Sequence, residues 1–237
     1  MDRKRSKLKI VAVIPVYGRL PLLRHTITRL YEKNGVNHVI CVGGKEEKAV
    51  CKKHGAQYIE DHKNILGAKW NKGFKMARAH TPTHILFVGS SDFICDDFLN
   101  VVIPHCPEYG MVGTKGFYMA HVEKAGSVKA GRWHGYKNRE DSIGIGRIIS
   151  SKILDKIGWK PFDDRKTNGM DWMMHKKVLS RKGLAVVIDD PKAMSLSIST
   201  DQWGNKHSYG DSTGTFTEID NPKEFLSSHF PETLKIF

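Results

Sequence analysis

Short apolar runs alternate along this chain with longer amphipathic stretches. Residues 9–16 form a β-branched apolar run that ends in Pro15 and Gly18, which is typical of a buried strand. From residue 20 to about residue 33, apolar side chains recur at helical spacing behind a proline in the first turn. The same reading predicts strands at residues 38–42 and 57–59 and helices at residues 45–53 and 64–80. This alternation predicts a parallel, doubly wound α/β sheet.

The fourth apolar run, residues 85–88, ends abruptly in Gly89, Ser90, Ser91 and Asp92. In open α/β sheets ligands bind at the carboxyl ends of strands, so Asp92 is placed to meet a hard cation and its accompanying phosphates. The alternative is that Ser-Ser-Asp forms only a turn followed by a helix N-cap. This stretch is therefore the first candidate for a binding site.

The second half of the chain has a different pattern. Residues 109–141 form a long segment in which basic and aromatic side chains are interleaved, and a helix is predicted at residues 150–157. A last strand is predicted at residues 184–188, followed by a polar, turn-rich tail. Residues 223–237 are predicted to form a short amphipathic helix that packs back on the domain.

Length and composition favour one folded domain. The chain has 237 residues, of which 40% are hydrophobic, which is enough for one sizeable core. No apolar run approaches the roughly 20 residues that span a bilayer, and the N-terminus leads directly into a strand. A soluble, cytoplasmic protein is therefore expected. The four cysteines show no CxxC spacing and receive no function.

The formal net charge of +13 is the compositional feature that points to partners. Lysine and arginine outnumber aspartate and glutamate by 38 to 25, which favours nucleotide phosphates, nucleic acid or an acidic membrane face. A solvated basic surface without any partner is the remaining alternative.

Five segments occur in the order seen in family 2-like glycosyltransferases of the GT-A fold, and the chain resembles that family. They are VAVIPVYGRLPLLRHTI, LGAKWNKGFKMARA, ILFVGSSD, IGRIISSKILDKIGW and NGMDWMMHKKVLSRKG. The likeness extends from about residue 9 to residue 190. It implies a single GT-A domain over residues 1–237 with a doubly wound, mostly parallel sheet. A Rossmann-like nucleotide-sugar-binding half would cover about residues 1–100, and a smaller acceptor-binding half with a C-terminal lid about residues 101–237.

The resemblance implies a nucleotide-sugar donor, with UDP as the expected nucleotide. Pro15, Val16 and Tyr17 look like the wall for the donor base, although Tyr17 can equally be an aromatic that caps the sheet. Lys69 occupies the position of a basic residue that faces the nucleotide in the family. An exposed helix lysine is the ordinary alternative for Lys69.

A divalent metal, Mn²⁺ or Mg²⁺, is also implied by the resemblance. Ser90, Ser91 and Asp92 occupy the place of the family's Asp-x-Asp motif, with serine in place of the first aspartate. Ser91 and Asp92 are assigned to the donor, and Asp92 to the metal. One carboxylate supplies less charge than two. Many GT-A enzymes take a further metal ligand from a histidine in the C-terminal loop, so the resemblance makes His207 the candidate second ligand, with an ordinary loop histidine as the alternative.

The acceptor residues are sought in the segment that borders the acceptor site in GT-A proteins. Lys115, Arg132, Trp133 and Tyr136 are the candidates, because basic side chains with aromatics between them suit a phosphodiester backbone and stacked bases. The alternative is an ordinary hairpin with a solvated face. Trp172 either walls the acceptor pocket or simply packs.

Asp171 is the candidate general base. Displacing a nucleoside diphosphate from an anomeric carbon with inversion needs a carboxylate within hydrogen-bond reach of the attacking hydroxyl. An aspartate at a helix start is rigidly placed for that role, although it can also merely complement the helix dipole. Asp163 and Asp164 are the second choices.

The sequence therefore predicts a metal-dependent, inverting glycosyltransferase. The expected acceptor is a hydroxyl group, with a hydroxymethylated pyrimidine in viral DNA as the specific hypothesis. A transferase for polysaccharide or glycolipid at a membrane surface is the enzyme alternative. A nucleic-acid-binding protein on an inactive transferase fold is the alternative from another class.

Overall fold

Two β-sheets carry the fold. The computed structural model describes residues 8–124, 126–137, 140–201 and 214–236. The strands are β1 (Ile10–Pro15), β2 (His38–Gly43), β3 (Gln57–Glu60), β4 (His84–Phe87), β5 (Asp92–Ile94), β6 (Met111–Thr114), β7 (Phe117–Val122), β8 (Val128–Tyr136), β9 (Ile148–Ser150), β10 (Ala185–Ile188), β11 (Ser195–Thr200) and β12 (Gly214–Glu218). The α-helices are α1 (Leu20–Glu32), α2 (Lys48–Lys53), α3 (Leu66–Arg78), α4 (Phe98–Val102), α5 (Ser151–Lys156), α6 (Met170–Leu179) and α7 (Pro222–His229). Short 3₁₀ helices lie at Ile103–His105 and Pro231–Lys235.

The larger sheet has seven strands in the order β10-β6-β9-β4-β1-β2-β3. Strand β9 runs antiparallel to both β4 and β6, and the other neighbouring pairs are parallel. The prediction of a mostly parallel α/β sheet is therefore confirmed. The carboxyl ends of β1 and β4 lie side by side at one edge of this sheet, which is where a ligand is expected.

Alternate residues of β1 face two different cores, as a doubly wound sheet requires. Ile10, Ala12 and Ile14 belong to the core that contains apolar residues of α1. Val11 and Val13 belong to a second core with Trp70 and Phe74 of α3. Helices therefore cover both faces of the sheet, and β1 is buried on both sides, which explains its continuous apolar run.

The smaller sheet has five strands in the order β12-β8-β7-β11-β5. Only the four residues 88–91 separate β4 from β5, so this turn carries the chain from one sheet to the other. Strands β7 and β8 form an antiparallel hairpin. A third cluster, built around Met119, Trp133 and Ile143, packs on one face of this hairpin. The segment predicted at residues 109–141 therefore contributes packed strands as well as a solvated face.

Two helix predictions differ from the structure. Helix α2 begins at Lys48 rather than at residue 45, because residues 45–47 form a turn from which the Glu47 carboxylate accepts a hydrogen bond from the Gly18 amide at 2.8 Å. The C-terminal segment forms α7 and a separate 3₁₀ helix, since Pro231 cannot continue the hydrogen-bond pattern of α7. No helix in the described part of the chain is long and apolar enough to cross a membrane.

Asn71 on α3 holds the segment that leads to α6. Its Nδ2 donates to the Phe162 carbonyl oxygen at 2.8 Å and to Asp164 Oδ1 at 2.7 Å, and its Oδ1 accepts from the Phe162 amide at 3.2 Å. Gly67 of the same helix packs so closely that a Cβ there would lie 2.2 Å from the Asp163 carbonyl oxygen. The helix therefore fixes residues 162–166 through backbone contacts.

Replacing Asn71 by alanine should lower the free energy of unfolding by about 2–3 kcal/mol, because buried groups of the 162–164 segment lose their partners. Urea unfolding followed by circular dichroism measures the change. Asn100→Ala, at an exposed position on α4, is the matched control and should change stability by less than about 0.5 kcal/mol. Equal effects of the two substitutions would show that Asn71 does not anchor this segment.

Candidate functional site

A cleft of about 500 Å³ opens at the carboxyl ends of β1 and β4. Its size falls within the range of small-molecule binding sites. Its walls come from the loop after β1, the turn after β4, the β7–β8 hairpin, the loop before β9 and the start of α6. Of the predicted site residues, it brings together Pro15, Tyr17, Ser91, Asp92, Trp133, Tyr136 and Asp171.

The turn after β4 folds Asp92 back onto Gly89. The Gly89 amide donates to Asp92 Oδ2 at 2.8 Å, and a Cβ on Gly89 would lie only 2.4 Å from that oxygen. The Ser91 carbonyl oxygen accepts a hydrogen bond from Ile198 of β11 at 3.0 Å. The turn of the alternative hypothesis is thus present, but the helix N-cap is not, because Asp92 begins strand β5. The turn also presents Ser91 and Asp92 to the cleft.

Arg19 is a cleft residue that was not predicted. It follows Gly18 at the end of the β1 loop, and both residues have positive φ, 62° for Gly18 and 57° for Arg19. Its Nη1 donates to Ser91 Oγ at 2.8 Å. Burial lowers the pKa of Arg19 from its ordinary value, and the charge of Asp92 opposes that effect. A positively charged group therefore lies beside the only carboxylate of the Ser-Ser-Asp turn.

Asp171 lies in the first turn of α6 and lines the cleft. The Tyr136 hydroxyl donates to its Oδ2 at 3.1 Å, and Arg147 Nη2 lies 3.3 Å from its Oδ1. A Cβ on Gly144 would lie 2.9 Å from the same Oδ1. Asp171 is therefore held from three sides. A carboxylate still has room for a further hydrogen bond, because its two oxygens accept about four.

Arg147 is fully buried beneath Asp171. Its Nε donates to Ser142 Oγ at 3.0 Å, and its Nη2 donates to the Ser142 carbonyl oxygen. Burial lowers the pKa of Arg147, while the charges of Asp171 and Asp141 oppose the shift. No sequence pattern indicated Arg147, because its burial depends on contacts with α6 more than twenty residues away.

Aromatic side chains of the β7–β8 hairpin line the cleft next to Asp171. Phe117 and Trp133 have ring centroids 5.5 Å apart, and Trp133 meets Tyr136 edge to face at 4.9 Å. We call Phe117, Trp133 and Tyr136 the aromatic wall. Flat rings can stack on such a wall, and its tyrosine hydroxyl already contacts Asp171.

Lys69 and Val16 do not line the cleft. Lys69 is buried, and its Nζ donates to the Val16 carbonyl oxygen at 2.5 Å and to Asn64 Oδ1 at 2.6 Å. Burial lowers the pKa of Lys69. Its Nζ also lies 5.6 Å from the centre of the Tyr17 ring. Lys69 thus supports the loop that carries Tyr17, and its predicted contact with a nucleotide stays a prediction.

Lys115, Arg132 and Trp172 also lie outside the cleft lining. Arg132 Nη2 pairs with Asp189 Oδ1 at 2.8 Å, and Lys115 Nζ lies 4.0 Å from the other oxygen of Asp189. Strand alternation turns Arg132 to the opposite face from its neighbour Trp133. Trp172, 39% exposed, has the Lys176 ammonium 4.7 Å from its ring centre. Their roles in acceptor binding stay predictions.

The expected metal site can be tested only at Asp92, because His207 lies outside the described residues. In the described ranges, no group of three or more histidine, cysteine, aspartate or glutamate side chains could hold a metal ion. Around Asp92 the donor set consists of one carboxylate, already bonded to the Gly89 amide, with the Arg19 guanidinium nearby. Divalent cations prefer several oxygen ligands. The described residues at this turn therefore do not fit a divalent ion by themselves.

Comparison with solved structures shows the fold class. A fragment of TarS, residues 1–349, from S. aureus in complex with UDP matches with a TM-score of 0.56 and 15% identity, over 81% of this chain and 61% of that one. The 4-diphosphocytidyl-2C-methyl-D-erythritol synthase of Anaerococcus prevotii matches with a TM-score of 0.52 and 14% identity, over 79% and 89% of the two chains. The chain has a GT-A-type fold.

The fold prediction is thereby confirmed, while membership of family 2 stays a prediction. A mycobacterial protein also matches, with a TM-score of 0.53 and 12% identity over 83% of this chain and 67% of that one. This chain spans about three-fifths of the TarS fragment. Protein-family models and curated protein sequences gave no match.

The pair formed by Arg147 and Asp171 should be strongly coupled, because one partner is a fully buried charge. A double-mutant cycle with Arg147→Met and Asp171→Asn should give a coupling energy of about 1–3 kcal/mol in urea unfolding. The exposed pair Arg132 and Asp189, replaced by Met and Asn, is the matched control and should couple by less than about 1 kcal/mol. Similar values for both pairs would contradict a buried ion pair beneath the cleft.

Proposed function

We propose that this protein is a glycosyltransferase that moves a sugar from a nucleotide-sugar donor to a hydroxyl acceptor. The observation that carries the proposal is the position of Asp171. Its carboxylate is held by Tyr136 and Arg147, and it lines the same cleft as the loops after β1 and β4. The likeness of the fold to a UDP complex of TarS supports a nucleotide donor in this cleft.

The donor is proposed to be UDP-linked and to bind along the loops after β1 and β4. Pro15 and Tyr17 line the cleft there, and the exposed ring of Tyr17 offers a face for a nucleotide base. The diphosphate would then lie toward Ser91 and Asp92, where strands β4 and β5 are joined. This direction leaves the sugar pointing toward Asp171 and the aromatic wall.

In the proposed transfer step, the acceptor hydroxyl oxygen bonds to the anomeric carbon as the bond from that carbon to the diphosphate oxygen breaks. The electron pair of the broken bond stays on the nucleoside diphosphate, and the hydroxyl proton passes to Asp171. Attack from the side opposite the leaving group inverts the anomeric centre. Tyr136 and Arg147 act as positioning residues, because they fix both oxygens of Asp171.

A divalent ion stays a prediction of the sequence, with Asp92 and His207 as its ligands. Such an ion would neutralise charge on the departing diphosphate when bound. The described residues around Asp92 do not fit it by themselves, and the transfer step above does not depend on it.

The acceptor is proposed to be a hydroxymethylated pyrimidine in DNA. The aromatic wall beside Asp171 supports a flat acceptor, since a flipped or single-stranded base can stack there with its hydroxyl toward the carboxylate. Lys115 and Arg132 pair with Asp189 outside this wall, so phosphodiester contacts would need other basic residues. A sugar hydroxyl of a polysaccharide or glycolipid is the alternative acceptor with the same chemistry.

Asp171→Asn should lower kcat for sugar transfer about a hundredfold or more, because the side chain can no longer take the acceptor proton. The dissociation constant of the donor should change less than threefold. Transfer is read by mass spectrometry, and donor affinity by calorimetry. Asp163→Asn is the matched control, since Asp163 pairs with Arg165 and does not line the cleft. Full transfer by Asp171→Asn would move the base to another residue.

Transfer to DNA should occur only with oligonucleotides that carry hydroxymethylated pyrimidines, and unmodified oligonucleotides serve as the control. Binding should weaken steeply between 50 and about 200 mM salt, because phosphate contacts release counterions. A donor screen with mass-spectrometric readout and a salt titration measure both effects. Binding without any transfer would favour the inactive-fold alternative. Transfer to an oligosaccharide or glycolipid, with no DNA binding at low salt, would exclude the DNA acceptor.

A further inference from the structure

Four charged residues line the cleft in the described part of the chain: Arg19, Asp92, Arg147 and Asp171. They divide into two sides. Arg147 lies 3.3 Å from Asp171 on the acceptor side and is fully buried, so its guanidinium has no exposed surface for a donor. Arg19 lies on the donor side, beside the turn after β4. Arg19 is therefore the cleft cation that is placed for the donor.

The guanidinium of Arg19 is oriented by the turn itself. Nη1 donates to Ser91 Oγ at 2.8 Å, and the charge of Asp92 stabilises the protonated form of Arg19 against its burial. Asp92 is in turn held by the Gly89 amide at 2.8 Å. The turn thus acts on Arg19 through the Ser91 hydroxyl and the charge of Asp92. A half-buried, oriented arginine differs from a fully exposed one, because less side-chain entropy is lost when a ligand binds.

We propose that Arg19, oriented by Ser91, binds the diphosphate of the nucleotide donor and stabilises it as the leaving group, with Asp92 balancing the charge of Arg19 rather than holding a metal. This inference rests on the proposed transferase function. A guanidinium presents paired N–H donors that match two oxygens of a phosphate group, and such charge-assisted pairs are among the strongest hydrogen bonds in proteins. The positive charge would act on the atoms where negative charge develops as the sugar leaves.

The donor set of the turn favours arginine over a metal ion. A divalent ion at Asp92 would need several further oxygen ligands, and it would lie within the field of the Arg19 charge. Like charges at short distance repel, so the two cations compete for the same place. The single carboxylate of the turn is explained if its function is to balance one guanidinium.

The two assignments of Asp92 predict opposite effects of one substitution. If Asp92 ligates a metal, Asp92→Asn removes the cation and weakens diphosphate binding. If Asp92 only balances the charge of Arg19, Asp92→Asn removes a negative charge near the diphosphate while Ser91 still orients the guanidinium, and affinity stays within about threefold of the wild type or rises. The affinity of Asp92→Asn for a nucleoside diphosphate is therefore a direct discriminator.

The experiment measures binding of UDP, CDP, GDP and ADP by calorimetry, each beside its nucleoside, first in EDTA and then in Mn²⁺. Wild-type protein is expected to bind at least one diphosphate in EDTA, and Mn²⁺ should change the affinity less than threefold. Arg19→Gln should lower the affinity for that diphosphate about ten- to a hundredfold and change the affinity for the nucleoside less than twofold. Arg24→Gln, at an exposed position on the helix that follows Arg19, is the matched control and should leave the affinities for the diphosphate and the nucleoside unchanged.

The outcomes separate this inference from the proposed function. Binding of a diphosphate only in Mn²⁺, or equal affinities of Arg19→Gln and Arg24→Gln, overturns the role of Arg19 while nucleotide binding stands. Binding of no nucleotide under either condition overturns the proposed function as well. If Arg19→Gln does not fold, Arg19→Lys replaces it. A loss of threefold or more with Arg19→Lys supports the paired contact, because lysine lacks the planar donors, and an unchanged affinity contradicts it.

Discussion

The fully buried guanidinium of Arg147 is the constraint on which the cleft wall around Asp171 depends. Burying a charge away from solvent costs several kcal/mol unless the charge is paired and hydrogen-bonded, so the fold must supply partners for Arg147. They are Ser142 in the loop before β9, Asp171 at the start of α6, and the face of Phe87 at the end of β4, 6.0 Å from the guanidinium carbon. Balancing one charge therefore brings together the loop, helix and strand that form this wall.

Buried charged side chains also hold the loop between β1 and α1, at the other side of the cleft. Glu47 is buried and accepts from the Gly18 amide, while buried Lys69 donates to the Val16 carbonyl oxygen. These two side chains fix the loop between β1 and α1 from below, so the residues that face the cleft, including Arg19, start from a rigid backbone. Buried charges in this protein thus hold the loops that form the walls of the cleft.

The sequence was informative wherever one residue's environment follows from its neighbours along the chain. Strand β1 is buried on both faces and helix α3 on one, so their apolar spacing predicted both elements. The site depends on contacts that spacing does not encode. Lys69 and Arg19 are both basic residues near the loop after β1. Only packing decides that Lys69 supports this loop and that Arg19 lines the cleft. Alternation along β8 does separate Arg132 from Trp133, and that signal was present in the sequence.

The charge balance of the Ser-Ser-Asp turn bears on the proposed binding of a diphosphate there. Two carboxylates around a divalent ion carry no net charge, and one carboxylate beside one guanidinium carries none either. A diphosphate approaching either arrangement meets the same total charge, with the positive group presented toward it. A turn with serine at position 90 and Asp92 beside Arg19 is therefore balanced as it stands. Adding a second acid without a metal would leave an uncompensated negative charge at the place where the diphosphate is proposed to bind.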